Sequence, residues 1–190
     1  DPRIGKKAYV RAGAAFGGGT LARDVQFLKT VAGRQGVQIP VLAAVLESNA
    51  HHKGWVVRHL RQQLGNLNGR KIGVLGLAYK AGTDAIRRSV AIEVIRELIA
   101  DGANVIAFDP KVKTLPEPVG SAMTIAAFQS DVFEGSEAVV LATEWPDFRD
   151  LDYASFVPNM SRAVLIDQNA FVAKSVATVA GLNYIVAGKG

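Results

Sequence analysis

Apolar and polar positions change rhythm twice along the chain. Residues 1–20 show no sustained period. They are rich in glycine and small side chains and are punctuated by Gly17-Gly18-Gly19, the pattern of a loop. Over residues 21–64 the apolar positions recur at helical spacing. Leu21, Val25, Leu28 and Ala32 predict a first helix, with Gly33 and Gly36 as its stops. Pro40 suits the first turn of a second helix. On that helix Val41, Val45, Val56 and Leu60 share one stripe, and Leu42, Leu46, Val57 and Leu64 share the next. Its middle, Glu47 to Gly54, is polar. Uninterrupted to Leu64, such a helix would span about 37 Å, a length suited to connecting domains or joining subunits. Gly65-Asn66-Leu67-Asn68-Gly69 then reads as a linker.

Beyond the linker the rhythm becomes an alternation of strand and helix. Lys71 to Gly76 predicts a buried strand that enters a glycine turn. Ser89 is placed to cap a helix with Ile92, Ile95, Leu98 and Ile99 inward, stopped at Asp101-Gly102. Val105–Phe108, Ala138–Ala142, Val164–Ile166 and Tyr184–Val186 are further apolar strands. Continuously apolar strands separated by helical stretches signal a parallel sheet covered on both faces. The fold class is therefore α/β: a helical segment over residues 1–65, then a doubly wound parallel-sheet domain over 66–190. Ligands of such domains bind at the carboxyl ends of the strands.

Composition narrows the functional classes. With 49% hydrophobic and 21% charged residues, the chain buries a core and is not disordered. It has no cysteine, which excludes disulfides, a thiolate metal site and a thiol nucleophile, and fits a reducing compartment such as the cytoplasm. No run of about 18 uncharged apolar residues offers a membrane span. The start, Asp1-Pro2-Arg3-Ile4, resembles neither a signal peptide nor an initiator segment and reads as the interior of a longer protein. The net charge of +5 favours anionic partners. The bases are scattered, no block of consecutive Lys or Arg exceeds two, and aromatics do not interleave with them. A nucleic-acid interface is thus not expected, whereas a small phosphorylated ligand stays open.

The residues that could carry chemistry are few. Gly73 to Ala78 holds part of a G-x-G-x-x-G fingerprint. Asp109 either accepts from a ribose hydroxyl or merely ends its strand. Lys80, Arg87 and Arg88 follow the first turn, where a helix N-terminus and cations together make a phosphate site; the other reading is a solvated basic loop. His52 and His59 lie seven apart, too far for two ligands of one metal on a helix, so no metal site is expected and a solvated helix face is.

The segment Tyr9 to Asp24, with Phe16-Gly17-Gly18-Gly19-Thr20-Leu21-Ala22-Arg23-Asp24 at its end, resembles the active-site stretch F-G-G-S-C-hydrophobic-P-K-D of the UDP-glucose/GDP-mannose dehydrogenase family. Asp1-Pro2-Arg3-Ile4-Gly5 resembles the stretch before that loop. Gly76 to Asp84 resembles the turn G-L-[AS]-[FY]-K-x-x-T-D, and Leu141 to Phe148 resembles L-x-T-E-W-x-x-[FY]. These segments occur in the family's order and together span nearly the whole chain.

The resemblance implies that an NAD-binding N-terminal domain lies outside this chain. It also implies that the helical segment forms a homodimer and that the Rossmann-like domain binds a UDP- or GDP-linked sugar. Family members oxidise the sugar C6 alcohol to an acid with two hydride transfers to NAD, through a thioester on a cysteine. By position, Arg3 would reach the sugar nucleotide of the neighbouring subunit. Tyr9, Arg11 and Gly13 would line the nucleotide, and Phe16, Gly17 and Gly18 would bring backbone close to the sugar. Lys80 would contact the nucleotide sugar, Arg87 the NAD phosphates, and Asp24 the catalytic water. Thr20 stands where the family has its cysteine, and Asp167-Gln168-Asn169 lacks the arginine of the family's D-x-R-N. A threonine hydroxyl without a base is a poor nucleophile, and Thr20 has another role open to it, as N-cap of the helix from Leu21. The chain alone is expected to be inactive.

Overall fold

The computed structural model describes residues 12–17 and 20–188. The first helix, α1 (Thr20–Arg34), agrees with the sequence pattern, but of its two expected stops only Gly36, in the left-handed region, follows it; Gly33 lies inside the helix, which runs on to Arg34. The helix predicted from Pro40 to Leu64 is instead two: α2 (Pro40–Lys53) and α3 (Trp55–Leu64), meeting at Gly54. The physical reason is burial. α2 buries no residue and Val41 stays 78% exposed, whereas α3 buries Val56, Val57, Leu60 and Leu64 in the core of the sheet.

The sheet has six strands: β1 (Lys71–Leu75), β2 (Asn104–Phe108), β3 (Thr124–Ile125), β4 (Ala138–Leu141), β5 (Val164–Ile166) and β6 (Asn183–Ile185). All pairings are parallel, in the order β3-β2-β1-β4-β5-β6. The two-residue β3 was not legible in the apolar pattern. β4 and β5 are buried throughout, as expected of strands covered on both faces. α4 (Val90–Ala100) lies in the crossover from β1 to β2, and the short helix α5 (Tyr153–Phe156) in that from β4 to β5. α4 contributes Ala91, Ile92, Val94, Ile95 and Leu98 to the core. An aromatic cluster also joins the core, with Phe133 edge-on to Tyr153 at 5.9 Å and beside Phe156 at 5.3 Å. Between β1 and β4 the winding reverses direction, and the crevice this opens at the carboxyl ends is the usual ligand position.

Two local expectations are corrected. Ser89 precedes α4 but does not cap it: its Oγ donates instead to the Leu77 carbonyl at 2.8 Å, tying the helix start to the glycine turn. The histidines do not form a solvated face. His52 and His59 are both half-buried, and His59 stacks on Trp55 at 3.8 Å while its Nδ1 bonds the Trp55 carbonyl. Among the described residues no helix is long and apolar enough to cross a membrane.

Candidate functional site

The turn after β1 is fixed from below. Gly76 adopts φ +94, and a side chain there would collide with Thr143. Its N–H donates to the Phe108 carbonyl at 2.8 Å. Asp109, at the end of β2, is buried, and its Oδ2 accepts from the N–H groups of Leu77 (2.7 Å) and Ala78 (3.1 Å) and from Trp145 Nε1 (3.0 Å). Its Oδ1 accepts from the N–H groups of Lys111 and Val112. Burial alone would raise this carboxyl, but the four backbone N–H bonds outweigh it and hold the group below the ordinary aspartate value. With both oxygens occupied, Asp109 is not free to take a ribose hydroxyl. It joins β1, β2 and the strap after β4. Thr143 Oγ1 completes the turn by donating to the Ala78 carbonyl at 2.6 Å.

Above this turn, at the reversal between β1 and β4, lies a cavity of about 460 Å³. Small residues form much of its wall, among them Ala14, Ala15, Gly17, Ala78, Ala91 and Ala142. Lys80, Glu144, Gln168 and Asn169 supply side-chain polarity. Lys80 is exposed, and its Nζ stands 5.5 Å from the centre of the Tyr79 ring.

Residues 13–17, from the start of the chain, are laid across this cavity and clamped by three side chains. Asn169 Oδ1 accepts from the Ala14 N–H at 2.7 Å, and its Nδ2 donates to Glu144 Oε1 at 2.5 Å. Asn49 of α2 bonds both backbone groups of Phe16, accepting at 2.9 Å and donating at 3.1 Å. His52 Nε2 lies 2.7 Å from the Gly13 carbonyl. A carbonyl only accepts, so His52 carries its proton on Nε2 there. Gly13 faces Asn169 so closely that a Cβ would strike its Oδ1. A second pocket of about 490 Å³, with Phe16, Asn49 and His52 among its walls, lies beside the clamp on the α2 side.

A third cleft of about 700 Å³ shares Gly17 and Tyr79 with the first and is bordered by Thr20, Arg23, Arg87 and Arg88. The fold thus brings Thr20 and Arg87 together, beside the cavity that Gly17 and Lys80 line. Thr20 is exposed and opens α1 itself, so it occupies the first helical position rather than capping a helix from Leu21. Among the described residues no histidine or carboxylate borders that cleft with it. Asp24 borders none of the three. It is exposed and pairs with Arg23 at 3.1 Å. Arg3, Tyr9, Arg11 and Gly18 lie outside the described residues. Among the described residues no three His, Asp or Glu side chains converge as a metal cage.

Asn49, His52, Glu144 and Asn169 were not read from the sequence as holding this loop. Their signals were slight: Asn49 and His52 stand three apart on α2, and Asn169 is the retained end of D-x-R-N. Only the fold brings the chain's beginning against residue 169.

Comparison with known proteins agrees with this geometry. Residues 73–174 match the UDP-binding domain of the UDP-glucose/GDP-mannose dehydrogenase family, and residues 1–51 match that family's central domain. The UDP-glucose 6-dehydrogenase of Rickettsia bellii is 32% identical over 201 aligned positions, which cover all of this chain and 44% of the relative. The chain therefore spans less than half the length of that relative. The structure of a UDP-glucose dehydrogenase from the archaeon Pyrobaculum islandicum superposes with a TM-score of 0.76 at 31% identity, over 99% of this chain and 40% of that one. A UDP-D-ManNAc dehydrogenase from Pyrococcus horikoshii, at 22% identity and a TM-score of 0.79 over 100% of this chain and 42% of that one, shares the fold.

Proposed function

The chain belongs to the UDP-glucose/GDP-mannose dehydrogenase family, and from that membership we propose that it is the C-terminal part of an NAD-dependent nucleotide-sugar dehydrogenase. In this reading residues 66–190 bind a UDP- or GDP-linked sugar at the β1–β4 crevice, and the whole protein oxidises the sugar's C6 alcohol. Residues 1–65 supply the loop over that crevice and the contact that makes a homodimer. The NAD-binding domain lies outside this chain, which by itself has no dehydrogenase activity. The setting is cytoplasmic, without nucleic acid or membrane as partner.

One observation carries the reading: the cavity at the winding reversal, bordered by Lys80 and roofed by the clamped loop, sits within the two segments that match the family. Lys80 offers a point charge for a diphosphate, and the Asn49, His52 and Asn169 clamps hold residues 13–16 in one position over the bound sugar. The guanidinium of Arg87 in the adjoining cleft suits the phosphates of NAD, which when bound supplies the hydride acceptor. Oxidation of an alcohol to an aldehyde needs no covalent link to the protein. The further step to an acid does, in this family, and among the described residues no base borders the cleft with Thr20 to make its hydroxyl a nucleophile.

That last observation favours a second reading, in which the protein binds nucleotide sugar, or serves as a dimerising partner, without completing the oxidation. Counting NADH formed per UDP-glucose or GDP-mannose consumed by the whole protein separates the readings. Two NADH per sugar would mean complete oxidation despite Thr20. One would mean an aldehyde-forming enzyme. None with sugar-nucleotide binding intact would leave a binding paralogue, and none without binding would leave an interaction module.

A further inference from the structure

The polar side chains that border the β1–β4 cavity are nearly all engaged within the protein. Ser89 Oγ is held by the Leu77 carbonyl and Thr143 Oγ1 by the Ala78 carbonyl. Glu144 Oε1 and Asn169 are bonded to each other, and Asn169 also takes the Ala14 N–H. Lys80 makes no ion pair among the described residues and faces open solvent. Gln168 is different. It directly follows Asp167 beyond the end of β5, lines the cavity, and is only 8% exposed, yet its Nε2 has no hydrogen-bond partner among the described residues. A buried amide nitrogen left without an acceptor is destabilising, and native proteins keep very few. A carboxamide N–H is matched to a neutral oxygen. It is a weaker partner for a phosphate than the nearby ammonium.

Resting on the nucleotide-sugar reading above, we propose that Gln168 is a specificity-determining residue of this cavity. Its N–H groups take a neutral carbonyl or hydroxyl oxygen of the ligand's base or sugar, while Lys80 takes the phosphate charge. The cavity thus divides its ligand into a charged part, held at the mouth, and a neutral part, read inside. Ligands that lack an acceptor at that place leave the amide unpaired and are rejected for that reason.

The test is calorimetric titration of the whole protein with UDP, UDP-glucose and GDP-mannose, for the wild type, Gln168→Met, Gln168→Glu and Lys80→Ala. Methionine keeps the length and removes the donors. Glutamate keeps the shape and replaces donors by acceptors. Either variant that retains the wild-type thermal midpoint carries the test. The expected result is about tenfold weaker binding of the preferred nucleotide sugar by Gln168→Met, and at least as much by Gln168→Glu. The loss in Gln168→Met should be equal at about 0.05 and 0.5 M salt, whereas the losses in Gln168→Glu and Lys80→Ala should shrink as salt screens the charge. If UDP shows the same loss as UDP-glucose, the acceptor is on the base. If only the sugar-bearing ligand shows it, the acceptor is on the sugar. Wild-type affinity in the folded Gln168 variants, or a loss in Gln168→Met that fades with salt as that of Lys80→Ala does, overturns the proposal. Failure of the wild type to bind any of the three overturns the nucleotide-sugar reading itself.

Discussion

Asp109 draws three strands' ends together through five N–H donors, four from the backbone and one from the Trp145 indole. Removing it leaves those donors buried without an acceptor. Asp109→Ala is expected to cost about 3 kcal/mol in urea unfolding. Because its folded value lies below that of an ordinary aspartate, its contribution is complete above about pH 4 and is lost as pH falls toward the folded value. An acid titration of stability should therefore be flatter in the variant. Asp167 is the second buried carboxylate. Its Oδ2 accepts from Tyr184 at 2.6 Å and from the Val172 N–H, while its Oδ1 has no partner. Burial, with the hydrogen bond to Asp167 and its negative charge, raises the Tyr184 phenol above its ordinary value. The contact is thus complete below about pH 10 and fails as pH rises beyond that. Tyr184→Phe should lose about 1–2 kcal/mol near neutrality, and the variant's stability should fall less steeply in alkali. Asp109 and Asp167 show the same limit of sequence reading. Each ends a strand as the pattern predicts, but whether its oxygens face a ligand or the backbone depends on neighbours far along the chain.

At the scale of elements, the loop over residues 13–16 has no regular structure of its own and is positioned from two sides. α2 holds it through Asn49 and His52, and the segment after β5 holds it through Asn169. Asn169→Ala removes the bond to Ala14 and leaves Glu144 without its donor. It should speed amide exchange at Ala14 and weaken nucleotide-sugar binding about tenfold, with global unfolding little changed. Asn49→Ala should have the same effect at Phe16. An unchanged exchange rate in both variants would show that the clamps do not set the loop's position. The helical rhythm of residues 21–64 was legible because α1, α2 and α3 each obey it. The break at Gly54 was not, because both stripes continue across it in register. What ends α2 there is the different burial of the two halves, a property of the packed molecule.

For the whole molecule, the helical segment leaves a conspicuous apolar surface, with Phe27 65%, Leu21 51% and Leu28 47% exposed on α1. If that face joins two copies, as proposed, Phe27→Asp should halve the mass measured by light scattering. The apolar runs by themselves determined the parallel, doubly wound domain, because strands buried on both faces have no polar alternation to hide their nature. The order of family-like segments determined the family for the same reason of locality: each motif is a few adjacent residues whose backbone turn and side chains act together. The tertiary structure alone decided which of those residues share a site. It joined Ala14 to Asn169 and Thr20 to the cleft of Arg87, and it left Asp24 outside. It also turned Asp109 inward and left Gln168 unpaired at the cavity. A hydrogen bond forms wherever folding brings donor and acceptor together, and sequence distance does not measure that separation.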